Sequence, residues 1–339
     1  MSAFKATFLA LAVATAQAPA LAAETTVTID NFTRAESTRF FDLTVKRGGF
    51  GQFVHNAALV PIDSQVIVRP NRDTLYSSAV FDLDAGPVSI TLPDAGKRYF
   101  SLVAYSQDQY TSPMGYGAGT YRFDRQQVGT RYVLVGIRTL VDPTDASDLQ
   151  AAHALQQQVR VSQPGGPGRY EETSWDTASQ QRVRTALLGL AATLPDSRGM
   201  FGARGQVDPL RHLIGSASAW GGNPERDALY LNVTPERNDG TMRYGLTVGR
   251  VPVDAFWSIS VYNAAGYFQA NPQNAYTLNN LTAKRAADGS VQVLFGGCDG
   301  KQANCLPITP GWNYMVRLYR PQAELLDGSW KFPEAQVLP

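Results

Sequence analysis

The run Arg69-Pro-Asn-Arg-Asp73, followed by Tyr76 and later by Arg98, concentrates the side chains best suited to chemistry in this chain. Arginine forks two parallel N–H donors onto a carboxylate or phosphate, and short Asn and Asp side chains bond to nearby backbone. Two roles are open for the cluster. Asn71 and Asp73 can build the turn that launches a strand. Alternatively, Arg69, Asn71, Arg72, Asp73 and Tyr76 form a polar group at one end of a sheet. Arg98 would then fork onto an internal carboxylate or onto an anionic or polyhydroxylated ligand. His55, Asp73 and Ser77 or Ser78 also supply the residue types of a nucleophilic triad, which makes His55, Asp73 and Tyr76 the candidates for acid–base catalysis. The chain lacks the Gly-x-Ser-x-Gly elbow and an evident oxyanion loop. The remaining histidines, His153 and His212, read as packing or solvated residues. The three histidines show no close ligand spacing, so neither a metal nor a cofactor is expected.

A second concentration lies further on, where Phe256, Trp257, Tyr262, Tyr267 and Phe268 surround Asn263 and Asn271, with Arg317 downstream. Alternating aromatics fill sheet cores, yet aromatic faces beside amides also hold sugar rings and other flat polar ligands. Trp257, Tyr262, Asn271 and Arg317 therefore join Arg69, Asn71, Arg72, Asp73, Tyr76 and Arg98 as candidate ligand contacts. Gly115-Tyr-Gly-Ala-Gly119 lacks the strand–loop–helix setting and the lysine of a phosphate loop and reads as a mobile loop. Cys298 and Cys305, the two cysteines of the chain, are expected to pair in an oxidising compartment. Six residues separate them, unlike the two of a catalytic dithiol.

The elements that must position these groups begin after an export signal. Residues 1–23 show a short start with Lys5, an apolar run from Phe8 to Ala20 and small residues at Ala20, Ala22 and Ala23, so a periplasmic or secreted location is expected. The run is too short and alanine-rich for a membrane span, and no transmembrane segment follows. Losing Lys5 turns 30 basic against 29 acidic residues into 29 against 29. A neutral chain argues against nucleic acid and against anionic lipid as partners. Its oligomeric state is not readable.

A helix is expected over residues 35–46, introduced by Thr33 and stopped by Gly48-Gly49. Strands are expected over residues 65–69, 74–83, 88–92, 98–106 and 132–137, separated by Pro, Gly and Asn turns. From Asp142 to about Trp220, Ala, Gln and Leu replace the β-branched residues. This region reads as helices over 145–159 and 177–194, a linker-like Gln163-Pro-Gly-Gly-Pro-Gly-Arg169, and an N-cap at Asp208 before Pro209. Strands return over 229–233, 243–248, 256–262, 291–295 and 312–319. In the last, Trp312, Tyr314, Val316 and Leu318 share one face and Asn313, Met315, Arg317 and Tyr319 the other.

Arg69-Pro-Asn-Arg-Asp-Thr-Leu-Tyr-Ser-Ser-Ala-Val-Phe-Asp-Leu83, with Gly86-Pro87 and Arg98-Tyr99, resembles the domain-of-unknown-function 1254 family. Pro252-Val-Asp-Ala-Phe-Trp-Ser-Ile-Ser-Val-Tyr262, Asn271, Asp288-Gly-Ser290, Leu306-Pro307, Arg317-Leu-Tyr-Arg-Pro321 and Asp327-Gly-Ser-Trp330 resemble the companion 1214 family. Cys305 departs from that pattern, which has tryptophan before Leu-Pro. The resemblance implies two β-sandwich-like domains plus helices in an exported bacterial protein, and implies no reaction.

Residues and resemblance together give a mainly β fold with helices. A 24–141 β-rich domain and a 223–339 β-sandwich are joined by a helical region at 142–222. The expected function is binding of a small polar or carbohydrate-like ligand in an interdomain cleft. A hydrolase or lyase using acid–base catalysis in that cleft, and a structural envelope component, are the alternatives. Whether the chain is an enzyme stays open.

Overall fold

The computed structural model describes residues 24–339, so the expected export signal lies outside the described residues. The first helix, α1 (Phe32–Lys46), buries Phe32, Ala35, Phe40 and Phe41 on one stripe. It ends where Gly48 turns to φ 89°, with Gly48 N bonded to Val45 O and Gly49 N to Thr44 O. Those two bonds form a Schellman stop, which favours glycine for its free access to positive φ.

The N-terminal strands are β1 (Val54–His55), β2 (Thr74–Asp82), β3 (Val88–Leu92), β4 (Phe100–Ser106), β5 (Gly115–Tyr116), β6 (Gly119–Phe123), β7 (Tyr132–Leu140) and β8 (Arg160–Ser162). They make a five-stranded sheet in the order β1-β2-β7-β4-β5 and a three-stranded sheet in the order β6-β3-β8, both antiparallel. Period two decides what each face carries. Ala79, Phe81, Leu102, Val133, Val135 and Ile137 of the larger sheet meet Val88, Ile90 and Leu92 of the smaller in one core. The intervening residues Val80, Val103, Tyr105 and Leu134 face the other way, toward Phe40 and Phe41 of α1.

Helices α2 (Arg125–Val128), α3 (Ala146–Gln158), α4 (Thr177–Ala191) and α5 (Pro209–Ser218) follow, and the last three start on side-chain caps from Asp145, Asp176 and Asp208. The C-terminal strands are β9 (Ala228–Val233), β10 (Tyr244–Val248), β11 (Trp257–Tyr262), β12 (Thr277–Asn279), β13 (Val291–Phe295), β14 (Cys305–Leu306), β15 (Asn313–Tyr319) and β16 (Gln336–Val337), with α6 (Ala323–Leu326) before the last. Sheets ordered β14-β13-β10-β16 and β12-β11-β15-β9 stack into a second sandwich. Its core holds Leu246, Val293, Phe295, Trp312, Tyr314, Val316 and Leu318, so the alternation expected for the last strand is the one observed. The fold is mainly β with helices. A further cluster bonds the halves, in which Phe32, Leu187 and Ile214 of the helices meet Tyr99, Phe256 and Tyr319 of the sandwiches. Phe256 stacks on Tyr319 at 4.1 Å and Tyr99 meets Phe256 edge-on at 5.2 Å.

Several local expectations change. Residues 65–69 form no strand: Arg69 sits at φ 52° and its N–H bonds Gly266 O instead of a ladder partner. The glycine-rich run at 115–119 is not a free loop but the whole of β5 and the start of β6, folded over the Tyr121 ring. A Cβ on Gly115 would lie 2.6 Å from that ring, so the glycine there serves close packing. The region after Asp142 is not wholly helical, because β8 pairs with β3, and Gln163 is tied to Asp82 O and Gly86 O at 2.8 and 3.0 Å.

Cys298 and Cys305 are joined in a disulfide beside β14. A loop this short constrains the unfolded chain by about 2.5 kcal/mol in the entropic treatment. The double substitution Cys298→Ser with Cys305→Ser is expected to fold normally and to melt about 4 °C lower, measured by calorimetry.

Candidate functional site

The two sandwiches present one outer sheet face each to a common boundary. Along β7 the outward positions are Leu134, Gly136 and Arg138, and along β15 they are Asn313, Met315, Arg317 and Tyr319. Between these faces lies a cavity of about 800 Å³, covered by α1 on one side and by residues 191–222 on another. Both sequence motifs reach it, the first through Arg69, Asn71 and Tyr76, the second through Arg317 and Tyr319.

Gly136 shapes the floor. It sits in the middle strand of the five-stranded sheet, and a Cβ there would meet only Tyr105 at 3.6 Å and Val103 at 3.9 Å, ordinary contacts. Glycine weakens a strand interior, and it commonly marks a site of close approach by another group. Here its missing side chain leaves room above the sheet.

Asp73 stands at the boundary, wholly buried. Its Oδ2 accepts from Ser258 Oγ at 2.6 Å and its Oδ1 from Asn279 Nδ2 at 3.0 Å and Thr277 Oγ1 at 3.3 Å. Burial raises the carboxyl above its ordinary value of 3.8, while Arg317 and these donors pull it back. Arg317 donates to Ser260 Oγ at 2.8 Å, Tyr262 OH at 2.7 Å and the carbonyls of Arg69 and Pro70 at 2.9 and 3.2 Å. The first motif is therefore bolted into the polar outer face of β11, β12 and β15.

Arg138 has different company. It donates to Asn223 Oδ1, to Gly221 O at 2.5 Å and to Tyr105 OH at 3.4 Å, and its guanidinium carbon lies 5.7 Å from the Tyr76 ring centre. Burial works against the guanidinium, yet the oxygens of Tyr105, Tyr76, Tyr230 and Tyr319 hold its pKa well above the ordinary value. Burial also pushes Tyr105 up to about 12 and Tyr319 well above its usual range. The result at neutral pH is a permanent cation beside the uncharged phenols of Tyr105, Tyr230 and Tyr319.

The triad types do not assemble. Asp73 is fully engaged with the C-terminal sandwich, and His55 instead places Nδ1 2.7 Å from Ser77 Oγ, which also accepts from Gln156 Nε2 at 3.3 Å. Among the described residues no carboxylate bonds to His55. Alternation along β2 turns Ser77 to the face opposite Tyr76 and Ser78. His153 and His212 spend their rings on the backbone carbonyls of Ala57, Met200 and Asp108.

Other expected contacts lie outside the cavity wall. Arg98 forks onto Asp148 of α3 at 2.9 and 2.5 Å, an internal carboxylate as one of its two readings required. Arg72 lies over the Tyr276 ring at 5.3 Å and donates to Val60 O. Trp257 packs in the C-terminal core against Phe332, and Asn271 closes its own turn through Ala275. Tyr262 is buried and donates to Pro70 O at 2.7 Å. Reading the sequence missed Arg138, Gly136, Tyr105, Tyr230 and Trp220. A signal existed for two of them: Arg138 is the one charged residue in Tyr132–Leu140, and Gly136 interrupts the same apolar strand.

Fold and site define a protein of two stacked β-sandwiches with a cavity between their outer sheets. Residues 50–136 match the family described as protein of unknown function (DUF1254), and residues 229–323 that described as protein of unknown function (DUF1214); the chain belongs to the family that joins these two domains in this order. No curated protein matches the chain. The crystal structure of the VPA0106 protein from Vibrio parahaemolyticus shares the fold at 18% identity and a TM-score of 0.68, covering 92% of this chain and 98% of that one. A putative uncharacterized protein from Burkholderia cenocepacia shares it at 13% identity and a TM-score of 0.55, covering 91% and 88%.

Removing the Asp73 carboxylate leaves three donors and a buried guanidinium uncompensated. Asp73→Ala is expected to cost about 3–5 kcal/mol in urea unfolding, and Asp73→Asn clearly less, because the amide still accepts from Ser258. Burial holds His55 below its ordinary pKa of 6.5, so the folded state prefers the neutral ring. Its contribution is present above that value and fades as pH falls through it toward the depressed folded pKa. Melting temperature is expected to drop between pH 7.5 and 5.5, and His55→Gln to shrink that drop.

Proposed function

We propose that this protein is exported and binds a small molecule bearing polar groups in the cavity between its sandwiches, without turning it over. The carrying observation is the open space above Gly136, walled by both sequence motifs. A cavity of about 800 Å³ falls within the range that small-molecule sites occupy. The disulfide fits an oxidising compartment, in keeping with the signal-like first residues. Trp257 and Asn271, the groups that suggested a sugar, lie away from this space, so the ligand meets tyrosines and arginines instead.

The hydrolase alternative keeps one supporting observation, the 2.7 Å contact between His55 and Ser77 at the border of the cavity. Against it stand the missing orienting carboxylate and the direction of Ser77. Labelling by a fluorophosphonate that vanishes in Ser77→Ala would establish it over binding alone.

For the binding reading, purified protein is screened by thermal shift against envelope metabolites, lipids and aromatic acids. A true ligand at a hundred times its Kd stabilises by about 2.7 kcal/mol, or about 4 °C for a chain of this size. Gly136→Leu is expected to obstruct the floor of the space beside Arg138, keep the fold and erase the shift. A shift that persists in this variant would place binding elsewhere.

A further inference from the structure

The cavity wall carries a lopsided charge. Arg47, Arg69, Arg138 and Arg317 border it against a single carboxylate, Asp196. That carboxylate is already spoken for by Arg198 at 3.4 Å and Arg211 at 3.1 Å. Arg47 sits at an exposed position and donates to Asn56 Oδ1. Arg317 has each of its terminal nitrogens bonded and shares a buried polar layer with Asp73.

Arg69 also has an unpartnered Nε, but it is only half-buried and donates to Asn313 Oδ1 at 3.3 Å. Arg138 differs in its depth. It is only 7% exposed, it forms no ion pair among the described residues, and its Nε has no hydrogen-bond partner. Every group it touches is neutral: an amide, a backbone carbonyl and phenols. Burying an uncompensated charge is expensive, several kcal/mol even after relaxation. Proteins that keep such a group beside a cavity generally use it, because an incoming opposite charge gains most where water is scarce. The remaining wall is of another kind, with Phe40, Val103, Leu134, Met200, Trp220 and Met315 supplying apolar surface. Phe40 and Trp220 stack at 4.1 Å into a flat side.

We infer that the cavity takes an amphipathic anion, its single oxyanion head drawn to Arg138 and its apolar body laid against the Phe40–Trp220 side. The inference rests on the binding reading above and narrows the ligand class. A polyhydroxylated sugar would leave that apolar wall uncovered, and a cation would face four arginines.

The probes are 8-anilinonaphthalene-1-sulfonate and N-phenyl-1-naphthylamine, which carry the same rings with and without an anionic group. Both are titrated by fluorescence into the folded protein at neutral pH. The sulfonate is expected to saturate one site and to bind at least about tenfold tighter than the neutral amine. Arg138→Gln is expected to remove that preference while the amine binds as before, and Arg138→Lys to keep most of it. Gly136→Leu is expected to block both probes. Equal affinities in the unaltered protein overturn the anion assignment and leave the binding reading standing, and that comparison needs no variant to fold. Saturable sulfonate binding that survives Gly136→Leu overturns the assignment to this cavity. Absence of saturable binding by either probe counts against the cavity as a binding site altogether.

Discussion

One carboxylate crosses the boundary between the two sandwiches, and the placement of everything else near the cavity follows from it. Asp73 belongs to the strand entrance of the first sandwich but finds its hydrogen-bond donors on Ser258, Thr277 and Asn279 of the second. Taking a carboxylate wholly out of water costs several kcal/mol, which three donors and a neighbouring guanidinium offset only in a tightly fixed geometry. That requirement explains why the outer face of β11, β12 and β15 is polar although buried. A sheet face that met an ordinary core would carry Val or Ile at Ser258, Ser260 and Thr277. Here it carries hydroxyls, because its neighbour is a turn rich in charge and not another hydrophobic layer.

Each sandwich already has a complete core of its own, one around Phe81 and Ile137, the other around Trp312 and Val316. The apposed outer faces are thus free of the duty of holding either sandwich together. They meet through a clasp at one end, through the aromatic cluster of Tyr99, Phe256 and Tyr319, and through helices α1, α4 and α5. Packing two twisted sheets through such a small set of contacts leaves a gap between them. The cavity is the geometric remainder of joining two finished units, and glycine at position 136 widens it.

Much of this was legible in the residues themselves. Strands β3 and β13 fall at their expected bounds, and the two-faced reading of β15 assigns its core side and its boundary side correctly, because period two is a property of the backbone alone. The short pieces β5, β8, β12, β14 and β16 left no trace, since two or three residues cannot show a period. Their pairing is decided by neighbours distant in the chain. Of the two readings of the Asn71 and Asp73 pair the turn is the one observed, with Asn71 Oδ1 accepting from Asp73 N at 2.7 Å, whereas the reach of the Asp73 side chain into another domain was part of neither. Arg138 escaped notice because it lies one residue past the strand expected over 132–137, whereas the observed β7 runs on to Leu140 at the centre of its sheet.

The clasp and the cavity wall share one short stretch of chain. Arg69, Pro70 and Asn71 line the space, and the carbonyls of the first two are what Arg317 grips. Divergence among relatives is therefore constrained unequally. A change in this stretch disturbs domain assembly as well as recognition, so selection for a new ligand has little freedom there. The roof also joins the halves, through Phe32 of α1 and Ile214 of α5, but its cavity-lining Leu43 and Arg47 are exposed and lie outside that cluster, and it is there that specificity can drift while the architecture stays intact.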